Sequence, residues 1–333
     1  MNTINHNTDF LFIYEAINCN PNGDPDQENK PRMDYDTQTN LVTDTRLKRY
    51  LRDYFMQKER PVFVSMEDGK KVNPDQKLEL VINRLLTDPK LIDEYFEENE
   101  EMKEAFETII SKMKGEEGVF KELQNKKNRT LNTFILDKIV KETFLDIRLF
   151  GSAFAVGGFT QAYTGPVQIN WGYSLNEVYP IESDSIVTIM NDDSSTFGKD
   201  YRIHYSLLAF HGVANKFAAR STGLSDDDMD VFREAIWNAI PALPTRSKLN
   251  QYPKLYLEII YNNGFNNGHF GDLRDYIDCK PKNGVDDFKK VRKYHDLEVD
   301  FSRLEKLIKE NQGEGKAIHR VNVKMAEGII FSA

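Results

Sequence analysis

The stretch that decides the reading runs from Asn18 to Phe55: NCNPNGDPDQENKPRMDYDTQTNLVTDTRLKRYLRDYF. A strand-like run, FLFIYEAI from Phe10 to Ile17, leads into it. The loop that follows is dense in Asn, Asp, Gly and Pro. Asn and Asp bond to nearby backbone, Gly permits positive φ and Pro fixes φ, so such a loop holds a defined shape without regular structure. Thr43 or Asp44 then caps a helix over 43–57, with Arg46 three residues after the threonine. The helix carries Arg46, Lys48, Arg49 and Arg52, interleaved with Leu47, Tyr50, Leu51 and Tyr54. At about 100° per residue, Leu47, Leu51 and Tyr54 share one side while Arg49 and Arg52 lie on another.

Composition bounds what surrounds this stretch. With 333 residues, 40% hydrophobic and 29% charged, the chain suits one elaborated domain or two modest ones with a substantial core. No run approaches the ~20 apolar residues of a membrane span. The opening MNTINHNTDF lacks the basic flank and apolar core of a signal peptide. Cys19 and Cys279 form neither a disulfide framework nor a zinc cluster. A cytoplasmic protein without a cofactor is the expectation. The net charge of −9 counts against indiscriminate RNA binding. Yet the acids concentrate in 93–107, 116–117 and 226–230, while the chain just beyond Asp44 is locally basic. Local field, not total charge, decides whether a phosphate is held.

Hydrophobic periodicity predicts strands at 9–17, 166–172, 203–214, 254–261 and 317–325, and helices at 43–57, 226–240 and 301–310. Ser225 caps the helix at 226–240 and Pro241 stops it. Residues 75–145 read as a polar helical block, and 151–165 as a glycine-rich aromatic loop. Alternating Ile186, Thr188 and Met190, followed by a polar tip at 191–198, suggest a long hairpin over 177–203.

Three pieces of the opening stretch, NPNGDP, ENKPR and LVTDTRLKRYLRDY, resemble the N-terminal signature of the backbone subunit of type I CRISPR interference complexes (Cascade). The form with ENKPRMD and VTDTRLKR looks most like the type I-B branch. DIRLFG at 146–151, YTGPVQ at 163–168 and the apolar run 205–214 agree with it. The resemblance covers about 10–262, though 56–145 adds little to it. It implies an α+β protein with a ferredoxin-like, RRM-like palm of order β-α-β-β-α-β. The palm would comprise 1–55, 146–176 and 204–333, with a helical insertion (fingers) at 56–145 and a hairpin thumb at 177–203. The implied role is non-enzymatic. Copies polymerise along crRNA as a helical filament beside other Cascade subunits, and spacer bases stay free to pair with target DNA. No membrane is involved.

Each candidate residue has a plainer reading beside this one. Asn20 and Asn22 are turn formers or RNA contacts. Arg46, Lys48, Arg49 and Arg52 are a solvated helix face, or cations meeting successive phosphates without regard to base. Acids are sparse within 45–52, which favours the second reading. Arg148 is a phosphate ligand or half of a buried pair with Asp146. Gly151, Gly157 and Gly158, with Gln161 and Thr164, allow either tight packing or close approach to a sugar–phosphate chain. Phe197 is the candidate wedge between bases at the hairpin tip. Arg246 and Lys248 form a short basic loop. Two other functions remain open. One is a metal-dependent endoribonuclease of the type III backbone kind using Asp24, Asp26, Asp34 or Asp36. The other is a single-stranded RNA-binding module that does not assemble.

Overall fold

The computed structural model describes residues 2–67, 70–71, 73–97, 99–113, 115–156, 159–182, 185–188 and 196–332. The chain divides into two units. The first comprises Met1–Ile4, Phe55–Pro166 and Lys216–Met229; the second comprises Asn5–Tyr54, Val167–Asn215 and Asp230–Ala333.

The second unit is built on an eight-stranded sheet. Its strands are β1 (Thr8–Cys19), β2 (Met33–Asp34), β3 (Thr39–Val42), β4 (Val167–Ile169) and β5 (Gly172–Ser174). After a separate hairpin of β6 (Ser185–Thr188) and β7 (Thr196–Lys199), it continues with β8 (Ile203–Ala214), β9 (Gln251–Tyr261) and β10 (Ile318–Met325). The order is β10-β9-β1-β8-β5-β3-β2, with β4 also on β8, and every pairing is antiparallel. Strand β1 is central and buried on both faces, which is why its apolar run does not alternate with polar residues. Leu11 and Ile13 join Leu207, Leu257, Leu304 and Ile308 in one core, the last two from the helix Ser302–Asn311. On the other face Phe10 meets Phe232 edge-on at 5.4 Å.

Helix α1 (Asp44–Gln57) starts where the Thr43 hydroxyl accepts from the Arg46 amide at 3.1 Å. Leu47, Tyr50, Leu51, Tyr54 and Phe55 are its buried residues. Helix α2 (Asp226–Ala242) passes through Pro241 where the sequence predicts a stop. Proline there removes one hydrogen bond in the final turn, and the helix ends one residue later, so little regular structure is lost. The strand expected at 166–172 is divided into β4 and β5. Asn170 keeps the edge attached through its amide to the His211 carbonyl at 2.9 Å. A side chain at Gly172 would run into the Phe210 ring.

The first unit is helical. Pro74–Thr87, Pro89–Phe96, Glu100–Lys112 and Gly115–Leu123 bury Leu78, Ile82, Phe96, Phe106 and Val119 together. Asn73 and Gln76 form a capping box at the first of these. Residues 151–164, expected as a palm loop, form a hairpin instead, Gly151–Val156 against Phe159–Thr164. They group with the helical block. Buried Asp146 accepts from the Phe63 and Val64 amides at 2.7 and 3.1 Å, and Tyr163 packs into the helical core. Among the described residues, no helix is long and apolar enough to cross a membrane.

Candidate nucleic-acid interface

The Asn-rich loop is held by its own side chains. Asn22 Oδ1 accepts from the Thr43 amide at 2.9 Å and from its hydroxyl at 3.0 Å, tying the loop to the start of α1. Asn20 is buried and donates to the Asn29 carbonyl at 2.8 Å. Both are therefore loop formers. Two of the loop carboxylates, Asp24 and Asp34, are engaged in the same way. Asp24 accepts from the Asp26 amide at 3.1 Å and pairs with Arg32 at 3.2 Å; Asp34 accepts from the Asp36 amide at 3.0 Å. Among the described residues, no three His, Cys, Asp or Glu side chains are grouped to hold a metal ion.

The helix cations separate into two kinds. Lys48 pairs with Asp44 at 3.1 Å and Arg49 with Asp53 at 2.7 Å, each one turn away. Acids are sparse inside 45–52, but these two stand at its borders and take both cations as partners. Arg52 is half-buried on the same helix. Arg46 differs. Its guanidinium lies 4.1 Å over the Tyr50 ring, its Nε is buried with no hydrogen bond, and no described carboxylate pairs with it.

Lys248 lies within reach of the Arg46 charge. Its ammonium donates to the Asn20 carbonyl. Burial, and then the charge of Arg46, push its pKa down from 10.5 to about 8. Nearby Cys19 offers no counter-charge, because burial drives its thiol up to about 12. Asn20 Oδ1 and Gln251 Oε1 are further buried atoms with no hydrogen bond. Two like charges thus act on each other, partly desolvated, and among the described residues neither pairs with an acid. Such an arrangement is costly alone and is relieved by an anion. Arg246, from the same basic loop, is 65% exposed and pairs with Asp200 at 3.1 Å, an acid it shares with Arg202.

Other expected contacts are placed differently. Arg148 does not pair with Asp146. It makes a bidentate bridge to Asp228, 2.8 and 2.9 Å, and its remaining nitrogen donates to the Lys141 and Glu142 carbonyls. With its donors spent inside the first unit, Arg148 is a structural clamp. Gly151 has φ +68°, and a side chain there would strike the Tyr163 carbonyl and Gly165, so the missing Cβ serves backbone packing. Thr164 is exposed at the hairpin end opposite Gly151, and Gln161 pairs with Phe154 through backbone. Gly157 and Gly158 lie outside the described residues, as does most of the hairpin tip. Phe197 belongs to strand β7, opposite Val187, and not to the turn.

Two contacts went unread in the sequence. Lys199 and Tyr201 both reach Glu28 Oε2, at 3.1 and 2.6 Å, joining the end of β7 to the Asn-rich loop. The Arg32 guanidinium lies 5.9 Å from the ring centre of Trp171, which is 47% exposed. Glu28 and Arg32 are far from these partners in sequence, so no local spacing marks them. An exposed tryptophan beside Gly172 was the one visible signal.

Residues 6–302 match the family described as CRISPR-associated protein Cas7. The chain belongs to the Cas7 family. A Cas7 protein of Haloferax volcanii (strain ATCC 29605 / DS2) is 30% identical over 311 residues, spanning 91% of this chain and 83% of that protein. Two solved chains are similar at lower identity. One, described as a CRISPR RNA-guided surveillance complex, pre-nicking, has 12% identity and a TM-score of 0.48, covering 77% of this chain and 79% of its own. The other, a CRISPR RNA-guided surveillance complex, has 11% identity and a TM-score of 0.47, covering 98% and 93%.

Proposed function

We infer that this Cas7 chain is the crRNA-binding backbone subunit of a type I interference complex, and that its phosphate-holding centre is Arg46 with Lys248. The family match over residues 6–302 carries the function. The two adjoining cations without a described carboxylate carry the site. Phosphate contacts there would be blind to base identity, as a scaffold for guides of varied sequence requires. Pairing then supplies specificity while protein supplies shape.

The finer reading is ours as well. β1, α1, β4 with β5, β8, α2 and β9 form a ferredoxin-like palm, a reading supported by the strand order β9-β1-β8-β4 and its antiparallel pairings. The β6–β7 hairpin is the thumb, with Phe197 as a base wedge. Copies assemble head to tail along crRNA with other Cascade subunits, of the I-B branch, in the cytoplasm, and leave spacer bases to target DNA. The subunit holds RNA without cutting it, in keeping with Asp24 and Asp34 already committed to backbone amides and, for Asp24, to Arg32.

The test is RNA binding by the purified chain. Affinity for single strands of differing sequence should agree within a few-fold and fall linearly with log salt. Strong sequence preference, or affinity indifferent to salt, would contradict the scaffold reading.

A further inference from the structure

Asparagine stands directly before glycine four times in the chain, at Asn22, Asn263, Asn267 and Asn283. Such a pair can react with itself. The glycine amide nitrogen attacks the side-chain carbonyl carbon of the asparagine, and glycine, having no Cβ, leaves the approach open. The attack needs an asparagine side chain free to rotate and a glycine amide free of firm bonds, so the fold decides which pair reacts.

Two of the four are locked. Asn22 Oδ1 accepts from the Thr43 amide and hydroxyl, and its Nδ2 donates to the Gly23 carbonyl at 3.1 Å. Asn267 Nδ2 donates to the Thr8 and Ala214 carbonyls and to Asp9, at 2.9, 3.1 and 3.1 Å, while its Oδ1 accepts from Asn215 at 2.9 Å. The Gly268 amide that would attack is itself held by the buried carboxylate of Asp9 at 2.8 Å. Asn263 is exposed on the turn Asn262–Phe265 but does not stand free of partners. Asn283 differs from all three. It is exposed, and its side chain has no hydrogen bond among the described residues. It is the second residue of a turn closed by the Val285 amide on the Lys282 carbonyl at 2.9 Å, and Gly284 takes the third place at φ +94°. The Gly284 amide donates to exposed Asp286 at 3.3 Å, a long bond that water readily replaces. Exposed Lys282 and Lys289 lie on either side of the turn in sequence, and their field favours the anion through which the attack passes.

We propose that Asn283 is a modification site, where the chain deamidates itself, and that the fold shields Asn22 and Asn267 from the same reaction. Gly284 N bonds to Asn283 Cγ, the Cγ–Nδ2 bond breaks, and Nδ2 leaves as ammonia with the proton that the Gly284 amide gives up. The product is a succinimide ring. Water then opens it on either side. Breaking the new N–Cγ bond leaves aspartate at position 283. Breaking the original peptide bond leaves isoaspartate, which runs the main chain through Cβ and lengthens the turn by one carbon. Either product sets a carboxylate beside Lys282.

The full chain is held folded in mildly alkaline buffer, digested at intervals, and its peptides are weighed by mass spectrometry. A labelled methyl group transferred by an isoaspartyl methyltransferase reports the isoaspartate separately. Deamidation at Asn283 should come first, at least about tenfold faster than at Asn22 and Asn267, which must open one or two hydrogen bonds before they react. In urea the four sites should converge, because the shielding comes from the fold. Asn283→Gln would have to close a larger ring and should abolish the early product with the melting temperature unchanged. RNA affinity should be the same before and after conversion, so the outcome is independent of the guide reading. Conversion of Asn22, Asn263 or Asn267 as fast as Asn283 in the folded chain overturns the proposal. So does an Asn283 that stays intact in the folded chain while it converts in urea, which would show the turn to be as well guarded as the others.

Discussion

Lys248 carries its charge only below about pH 8, because its ammonium is buried beside Arg46. Between that value and the ordinary 10.5, the unfolded chain holds a proton that the folded subunit has released. The stability contributed at this site therefore rises with pH across that window. RNA affinity should run the other way. It should fall as pH rises from about 7 to about 9, because the neutral amine no longer attracts phosphate. Lys248→Met should remove both trends, read by titration of RNA affinity and by thermal melts at matched salt. A wild-type affinity that stays flat over that range would separate Lys248 from the phosphate. Arg148 tests the opposite assignment. Its bridge to Asp228 is mostly buried, with side chains 14% and 10% exposed. Arg148→Ala should cost about 3–5 kcal/mol by stranding that carboxylate. Denaturant unfolding should record the loss, while RNA affinity per folded molecule stays the same. Unchanged stability with lost RNA affinity would restore Arg148 as a phosphate ligand.

Among the elements, the hairpin β6–β7 bears the most specific expectation. Phe197 lies on a paired strand, and Lys199 at the end of β7, with Tyr201 just beyond it, anchors the strand to Glu28. Phe197→Ala should leave the melting temperature of the free subunit nearly unchanged. It should weaken guide assembly by about 1–3 kcal/mol, the worth of one stacked base, and erase the periodic base exposure that chemical probing reads along the spacer. A drop of several degrees with the probing pattern intact would assign Phe197 to the core. How legible such elements were depended on range. The run FLFIYEAI and the Thr43 cap announce β1 and α1 locally, since burial on both faces and an amide-accepting hydroxyl leave a mark within a few residues. Arg148 meets Asp228 eighty residues on, so only its local neighbour Asp146 suggested itself. Pairing of Lys48 and Arg49 turns on Asp44 and Asp53, just outside the window in which acids were sought. Lys248 is visible as a basic loop residue, but the groups that act on it, the Asn20 carbonyl and the Arg46 charge, lie some two hundred residues away in sequence and leave no local trace.

For the whole molecule, the proposed function rests on adding many weak, base-blind contacts along one RNA. A chain of net charge −9 can do this because its cations are arranged unevenly. On α1, Lys48 and Arg49 are matched by acids, whereas no described carboxylate pairs with Arg46 or with Lys248. In the proposed assembly, identical subunits would join head to tail in an open helical array, so loss at one centre would recur in every copy and should remove assembly as a whole. The most direct measurement is the mass of the particle formed when the purified chain meets a guide-length RNA, compared among wild type, Arg46→Ala with Lys248→Met, and Arg49→Ala. Wild type and Arg49→Ala should each form particles with several chains per RNA, and the double variant should remain free chain of unaltered fold. Assembly by the double variant equal to wild type, or wild type binding only as single chains, would contradict the account.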